Sequence, residues 1–288
     1  MTASAAPASD VGLRGHLRIA LRLIGLFLAI VVCVPLHYAW RTVHYGSPLP
    51  KLFLGLAARI MGARVRIHGV PLKRDVFYVA NHLSWLDILA LGGASGTAFV
   101  AKAEVEKTPL VGWLASLNRT VYVSREDRMG VADQINRLRE ALADNWAVTV
   151  FPEGTTTDGQ SLLPFKTSML RVLEPPPPGV MVQPVMLDYG AVAEWIGWIG
   201  DETGLANVKR VLGRRGSFRL NVHFLDPFDP RDHSGRKAIA AEARARIEPA
   251  LMAALGKPLR PFGLDVPQVG FSRTRAPAEA AAHDRAEG

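Results

Sequence analysis

A single cysteine, Cys33, is all this 288-residue chain contains. It can form no internal disulfide, so cysteine usage gives no sign of an oxidising compartment. Dense runs of Lys and Arg are missing as well. The formal net charge is +8 and the pI about 9.9, yet the basic residues are spread along the chain, which argues against a nucleic-acid-binding arm. No apolar run reaches a comfortable membrane span. The longest strictly apolar run, Leu23–Leu36, has 14 residues where roughly 20 are needed. The chain has no G-x-G-x-x-G, no P-loop, no H-E-x-x-H and no G-x-S-x-G. This removes the usual signatures of dinucleotide binding, phosphate cradling, zinc proteolysis and elbow-serine hydrolysis. Cys and His spacing offers no zinc site. Neither an internal repeat nor a long linker divides the sequence, which favours one domain.

What is present begins with the apolar segment itself. Arg14, Arg18 and Arg22 precede it, as in a signal peptide, but no small-residue cleavage site follows. It runs instead into Tyr38 and Trp40, residues suited to a membrane–water interface. A second segment, Pro50–Met61, places Leu52, Leu56 and Ile60 four apart, as on one helix face. Two readings stand: a buried core helix, or a helical pair lying in one leaflet. The chain therefore divides into a disordered start at 1–12, membrane-associated helices at 13–62, a domain at 63–260 and a disordered Pro- and Ala-rich tail at 261–288.

From residue 64 onward, β-branched and aromatic runs recur at Val65–Val70, Val76–Ala80, Thr97–Ala101, Thr120–Val123, Ala147–Phe151, Val180–Leu187 and Arg219–Leu225. Helical stretches at Val131–Asn145 and Ser234–Leu255 lie among them. Strands alternating with helices predict an α/β fold with a mostly parallel central sheet flanked by helices.

Three stretches carry chemistry. Asn81-His82-Leu83-Ser84-Trp85-Leu86-Asp87 follows an apolar strand. On one regular helix His82 and Asp87 would point about 140° apart. They meet only if His82 lies in a loop and Asp87 in the first helical turn, with Ser84 as N-cap. A carboxylate on one imidazole nitrogen makes the other a better base; the same spacing also fits a helix-capping box. Phe151-Pro152-Glu153-Gly154-Thr155-Thr156-Thr157 ends another strand in a polar turn that either receives an anion or is an ordinary turn. Arg125 and Lys102 each close a strand, as a phosphate clamp or as members of surface ion pairs.

Together these stretches resemble the lysophospholipid acyltransferases, which include 1-acyl-glycerol-3-phosphate acyltransferases, over roughly Lys51 to Leu225. Asn81-His82 with Asp87 is similar to the family's NHxxxxD block. Lys102-Ala103-Glu104 through Val121–Arg125 is similar to the acceptor-binding block, Phe151–Thr155 to FPEGT, and Val182–Val185 to a fourth, apolar block. The resemblance implies that His82, oriented by Asp87, is a general base on the hydroxyl of a lyso-lipid acceptor, which attacks acyl-CoA or acyl-carrier protein. It implies no cofactor, no metal and no nucleic acid. Lys102, Arg125, Glu153, Gly154, Thr155 and Thr156 would hold the acceptor among membrane lipids, at the cytoplasmic side of the inner membrane. The first acceptor expected is 1-acyl-sn-glycerol-3-phosphate, giving phosphatidic acid. One departure points elsewhere: phosphatidic-acid makers usually carry Arg directly after FPEGT, where this chain has Thr156. Losing that cation costs a phosphate about 1.5–3 kcal/mol, and the pattern resembles the branch acylating lyso-ornithine lipid. A non-catalytic lipid-binding protein and a serine-dependent membrane hydrolase are the rivals from other classes.

Overall fold

The computed structural model describes residues 12–44, 46–123, 136, 138–140 and 147–262. Its centre is a seven-stranded sheet of β1 (Ala63–His68), β2 (Val76–Ala80), β3 (Ala98–Lys102), β4 (Val121–Val123), β5 (Ala147–Val150), β6 (Met181–Asp188) and β7 (Phe218–Phe224). The spatial order is β1-β7-β6-β2-β5-β3-β4. Every pairing is parallel except β6 with β7. The expected α/β class and mostly parallel sheet are therefore observed, and each expected strand is present with ends shifted by at most two residues.

The helices are α1 (Leu13–Arg41), α2 (Leu49–Ile60), α3 (Leu86–Ser95), α4 (Ala103–Glu106), α5 (Val111–Leu117), α6 (Ala193–Ile196), α7 (Gly204–Gly213) and α8 (Arg236–Leu255). The helix expected at Val131–Asn145 lies outside the described residues except at 136 and 138–140, which are helical.

Strand β2 is buried along its whole length, as a parallel strand covered on both faces must be. Tyr78 and Ala80 enter one core with Ala58 of α2, Met61 just after it, and Leu86 and Leu91 of α3. Phe77 and Val79 enter the other, with Ile239, Ala240 and Ala243 of α8. Helices α2 and α3 cross closely: a Cβ on Gly93 would lie 2.5 Å from the Gly55 Cα. The segment preceding the sheet is thereby packed onto the helix that opens at the site.

Helix α1 is longer than the apolar run because the arginines before that run are helical too. Arg18 Nε donates to the Gly213 carbonyl at 2.8 Å, and Arg22 Nη1 donates to those of Val211 and Leu212 at 2.9 and 2.7 Å. They satisfy the carbonyls at the C-terminal end of α7. Two of the three basic residues that looked like a signal-peptide n-region, Arg18 and Arg22, instead fasten α1 to the domain. Most of the helix beyond them is exposed and apolar, including Leu23, Ile24, Phe27, Leu28, Val31 and Val32. By length and composition α1 could cross a membrane.

Candidate active site

The C-terminal ends of β2, β5, β3 and β6 point the same way, and in such sheets ligands gather at that edge. Asn81 follows β2 immediately. Its side chain donates to the Leu187 carbonyl at 3.0 Å and accepts from the Leu187 N–H at 2.7 Å, extending the β2–β6 ladder by one side-chain rung. The backbone then turns off, and His82 stands in the loop between β2 and α3.

Asp87 lies in the first turn of α3 and is fully buried. Its Oδ2 lies 2.8 Å from His82 Nδ1 and accepts from the Leu83 and Ser84 N–H groups at 2.7 and 2.9 Å. Its Oδ1 accepts from the Tyr189 hydroxyl at 2.5 Å. A buried carboxylate needs such a set of donors to offset its lost hydration. Helix α3 begins at Leu86, so Ser84 is not its N-cap in the expected way; the Leu86 N–H reaches the Ser84 hydroxyl only at 3.4 Å. Asp87 does the tying instead, reaching back to two loop N–H groups, so the capping interaction and the His–Asp pair are the same carboxylate.

With Nδ1–H given to Asp87, the lone pair of His82 sits on Nε2. The ring is partly exposed, at 18%, and stacks on Phe151 with centroids 4.1 Å apart. Phe151 follows β5, the sheet neighbour of β2, so this stacking is a product of strand order. The arrangement suits a base that takes a proton from a hydroxyl approaching across the loop.

The backbone of His82 is fixed from both sides by the turn after β5. Its N–H donates to Glu153 Oε1 at 2.8 Å, and its carbonyl accepts from the Thr157 N–H at 2.8 Å. The other oxygen of Glu153 accepts from the Leu163 N–H at 2.8 Å. Arg244 of α8 grips the carbonyls of Leu162 and Leu163. Glu153 is therefore turned into the protein, where both its oxygens hold backbone. Burial raises its carboxyl to about 8, against the opposing pull of its two backbone donors and Arg244. A carboxyl raised on folding binds its extra proton in the folded state, so its contribution is full near pH 4 and is lost as pH rises through about 8. Expected accordingly: from pH 5 to pH 9 the melting temperature of wild type falls steadily relative to that of Glu153→Gln, whose amide does not titrate. A constant difference across that range would count against the buried, proton-binding carboxyl.

Gly154 adopts φ +72°, and a Cβ there would stand 2.8 Å from Lys166 Nζ. The left-handed backbone explains glycine at this position, since the lysine tip can move aside. Thr155 is half-buried on the same turn. The Thr156 hydroxyl donates to the Trp198 carbonyl, and the Trp198 N–H donates to the Leu83 carbonyl at 3.0 Å. Lys102 ends β3 beside Val123, which sets its backbone at the same edge of the sheet; its side chain, like all of Arg125, lies outside the described residues. The sheet thus brings His82, Asp87, Glu153, Gly154, Thr155 and Thr156 together. Among the described residues, no group of three His, Cys, Asp or Glu side chains is placed to hold a metal ion.

Two contributors escaped sequence reasoning. Tyr189 stands four residues beyond the fourth similar block, and only the adjacency of β6 and β2 brings it to Asp87. Its hydroxyl is held well above the usual tyrosine range, by burial first and by Asp87 second, so it stays a donor. Asn207 accepts from the Trp85 indole N–H at 2.9 Å, linking the start of α3 to α7 and through it to α1.

Comparison with known proteins agrees with this geometry. Residues 64–188 match the family model described as Acyltransferase. The chain is 33% identical to a lyso-ornithine lipid O-acyltransferase of Rhizobium meliloti, over 81% of this chain and 86% of that protein. It is 31% identical to one of Brucella abortus, over 88% of this chain and 99% of that protein. A 1-acyl-sn-glycerol-3-phosphate acyltransferase of Neisseria gonorrhoeae is 35% identical, over 40% of this chain and 46% of that protein. The crystal structure of the 1-acyl-sn-glycerophosphate acyltransferase PlsC from Thermotoga maritima superposes with a TM-score of 0.62 at 22% identity, covering 84% of this chain and 97% of that one; it is similar in fold. Relatives more than 30% identical across most of both lengths, a matching family model and a His–Asp loop at the sheet edge lead to one conclusion: this chain belongs to the acyltransferase family and is an acyltransferase.

Proposed function

We propose that this chain transfers a fatty acyl group from an acyl thioester to the free hydroxyl of a lyso-ornithine lipid, with His82 as the general base. The 2.8 Å contact between His82 Nδ1 and Asp87 Oδ2, which turns Nε2 outward as the base, is the observation that carries the chemistry. The acceptor hydroxyl gives its proton to Nε2 as its oxygen attacks the thioester carbonyl; the C–O bond forms, the C–S bond breaks, and the proton passes from the imidazolium to the departing thiolate. Asp87 holds the ring and stabilises its charged form during the transfer. Glu153 and Thr157 fix the backbone of His82, which sets the reach of the ring.

For the acceptor, Thr156 supports lyso-ornithine lipid over the phosphate acceptor first expected from sequence. The position that carries Arg in phosphatidic-acid makers holds a hydroxyl already bonded to the Trp198 carbonyl. Relatives that share most of the chain's length carry the lyso-ornithine name. The exposed apolar faces of α1 and α2 support attachment within one leaflet, with the catalytic edge toward the cytosolic thioester donor and the inner-membrane lipids. Purified chain offered lyso-ornithine lipid and 1-acyl-sn-glycerol-3-phosphate in competition should acylate the former by preference; preference for the phosphate would overturn the acceptor assignment.

Tyr189→Phe removes one charged hydrogen bond from Asp87 and leaves the remaining donors. The expected cost is about 1.5–3 kcal/mol of stability and a kcat lowered about tenfold, equivalent to about 1.4 kcal/mol of transition-state stabilisation. Unchanged kcat and melting temperature would show that the contact is dispensable.

A further inference from the structure

Among the described residues, one face of β1 and the start of β7 is left exposed. Their register pairs Arg64 with Arg219, Arg66 with Asn221 and His68 with His223. Paired residues share a face, as the stacked rings of His68 and His223, 4.3 Å apart, make plain. Arg64, Arg66, His68 and Arg219 are exposed. Among the described residues none of the three arginines has an ion-pair partner. Neither the stretch from Gly62 to Arg74 nor that from Thr203 to Leu225 contains an Asp or Glu; the acid facing them from β6, Asp188, accepts from the Asn221 amide at 2.9 Å and pairs with none of the three arginines. The basic row extends ~13 Å along β1 and ends at a cavity of about 530 Å³ toward α8, lined by His68, His223, Arg246 and Asp226. Arg246 is paired with Glu242, so the free charge belongs to the strand arginines.

The opposite face of these strands is the one covered by α2: Ala63, Phe218, Leu220 and Val222 are buried with Ala58 and Met61, and Ile19 and Leu26 of α1 pack against the same core. The row therefore points away from the apolar helices. A lipid surface that receives α1 and α2 lies on the other side of the sheet, which leaves a soluble acidic partner for the arginines. A charged row of this length matches a protein surface better than a single phosphate.

We propose that the Arg64–Arg66–Arg219 row docks an acidic acyl-carrier protein delivering the thioester. The proposal rests on the acyl-transfer function above for its biological sense, but its test does not. The full chain carrying R64E, R66E and R219E, with R64Q, R66Q and R219Q as the milder alternative should the first misfold, is compared with wild type. Binding of carrier protein lacking an acyl group is read by fluorescence anisotropy, alongside KM for acyl-carrier protein and for acyl-CoA and sedimentation with phosphatidylglycerol-containing vesicles. Charge reversal should weaken carrier binding and raise the carrier KM by about tenfold or more, with kcat/KM for acyl-CoA and vesicle binding unchanged. Unaltered carrier binding would overturn the proposal and leave the arginines as protection of a sheet edge against pairing. Loss of vesicle binding with carrier binding intact would overturn it in favour of a membrane surface. Wild type that binds carrier but transfers no acyl group from either donor would sustain the docking surface while sinking the acyl-transfer reading.

Discussion

Asp87→Asn is expected to lower kcat by about a thousandfold to ten-thousandfold, the scale on which a buried carboxylate orients a catalytic imidazole. The side chains are nearly isosteric, so the fold should survive. An amide, however, cannot satisfy this pocket and the ring together. If its oxygen takes the Oδ2 position, the Leu83 and Ser84 N–H groups keep an acceptor, but a neutral one that no longer stabilises an imidazolium. If its nitrogen takes that position, it faces both N–H groups and stabilises the wrong tautomer of His82, leaving Nε2 protonated. Either way burial magnifies the loss, because Asp87 has no contact with solvent. The expected stability cost is about 1–3 kcal/mol for donors left poorly paired. Steady-state kinetics with a melting curve on the same sample checks both; wild-type kcat in a folded Asp87→Asn would remove Asp87 from the mechanism.

His82→Ala should remove the base itself and lower kcat by about 10²–10⁴-fold. The effect on folding should be small by comparison. The ring is partly exposed and stacks on one face of Phe151, while the contacts that anchor the loop at residue 82 are made by its backbone, which alanine retains. Lipid KM should change little, because binding of an acyl chain and head group does not depend on Nε2. His82→Ala and Asp87→Asn should also be far from additive: without the imidazole, the carboxylate has nothing to orient. A double variant about as slow as His82→Ala alone is the expected result.

Much of the fold was legible in sequence because parallel strands buried on both faces leave continuous β-branched runs. Val76–Ala80 was located without error for that reason. The loop position of His82 followed from simple helical arithmetic on a five-residue spacing. Other features depend on neighbours that sequence order does not bring together. Asn81 and Leu187 exchange two hydrogen bonds across more than a hundred residues, and Tyr189 reaches Asp87 because β6 lies beside β2. The resemblance implied Glu153 as a head-group ligand; its burial, and the use of both oxygens by backbone N–H groups, emerge only once the turn is folded. Arg18 and Arg22 looked like flanking charge because their partners, the carbonyls ending α7, lie some 190 residues away.

The most direct measurement is formation of acylated ornithine lipid, followed by mass spectrometry, from purified wild-type and His82→Ala chains given the same acyl thioester and lyso-ornithine lipid. A general-base role at His82 predicts ready product formation by wild type and a loss of about 10²–10⁴-fold in the variant. Undiminished product formation by a folded His82→Ala chain would contradict it.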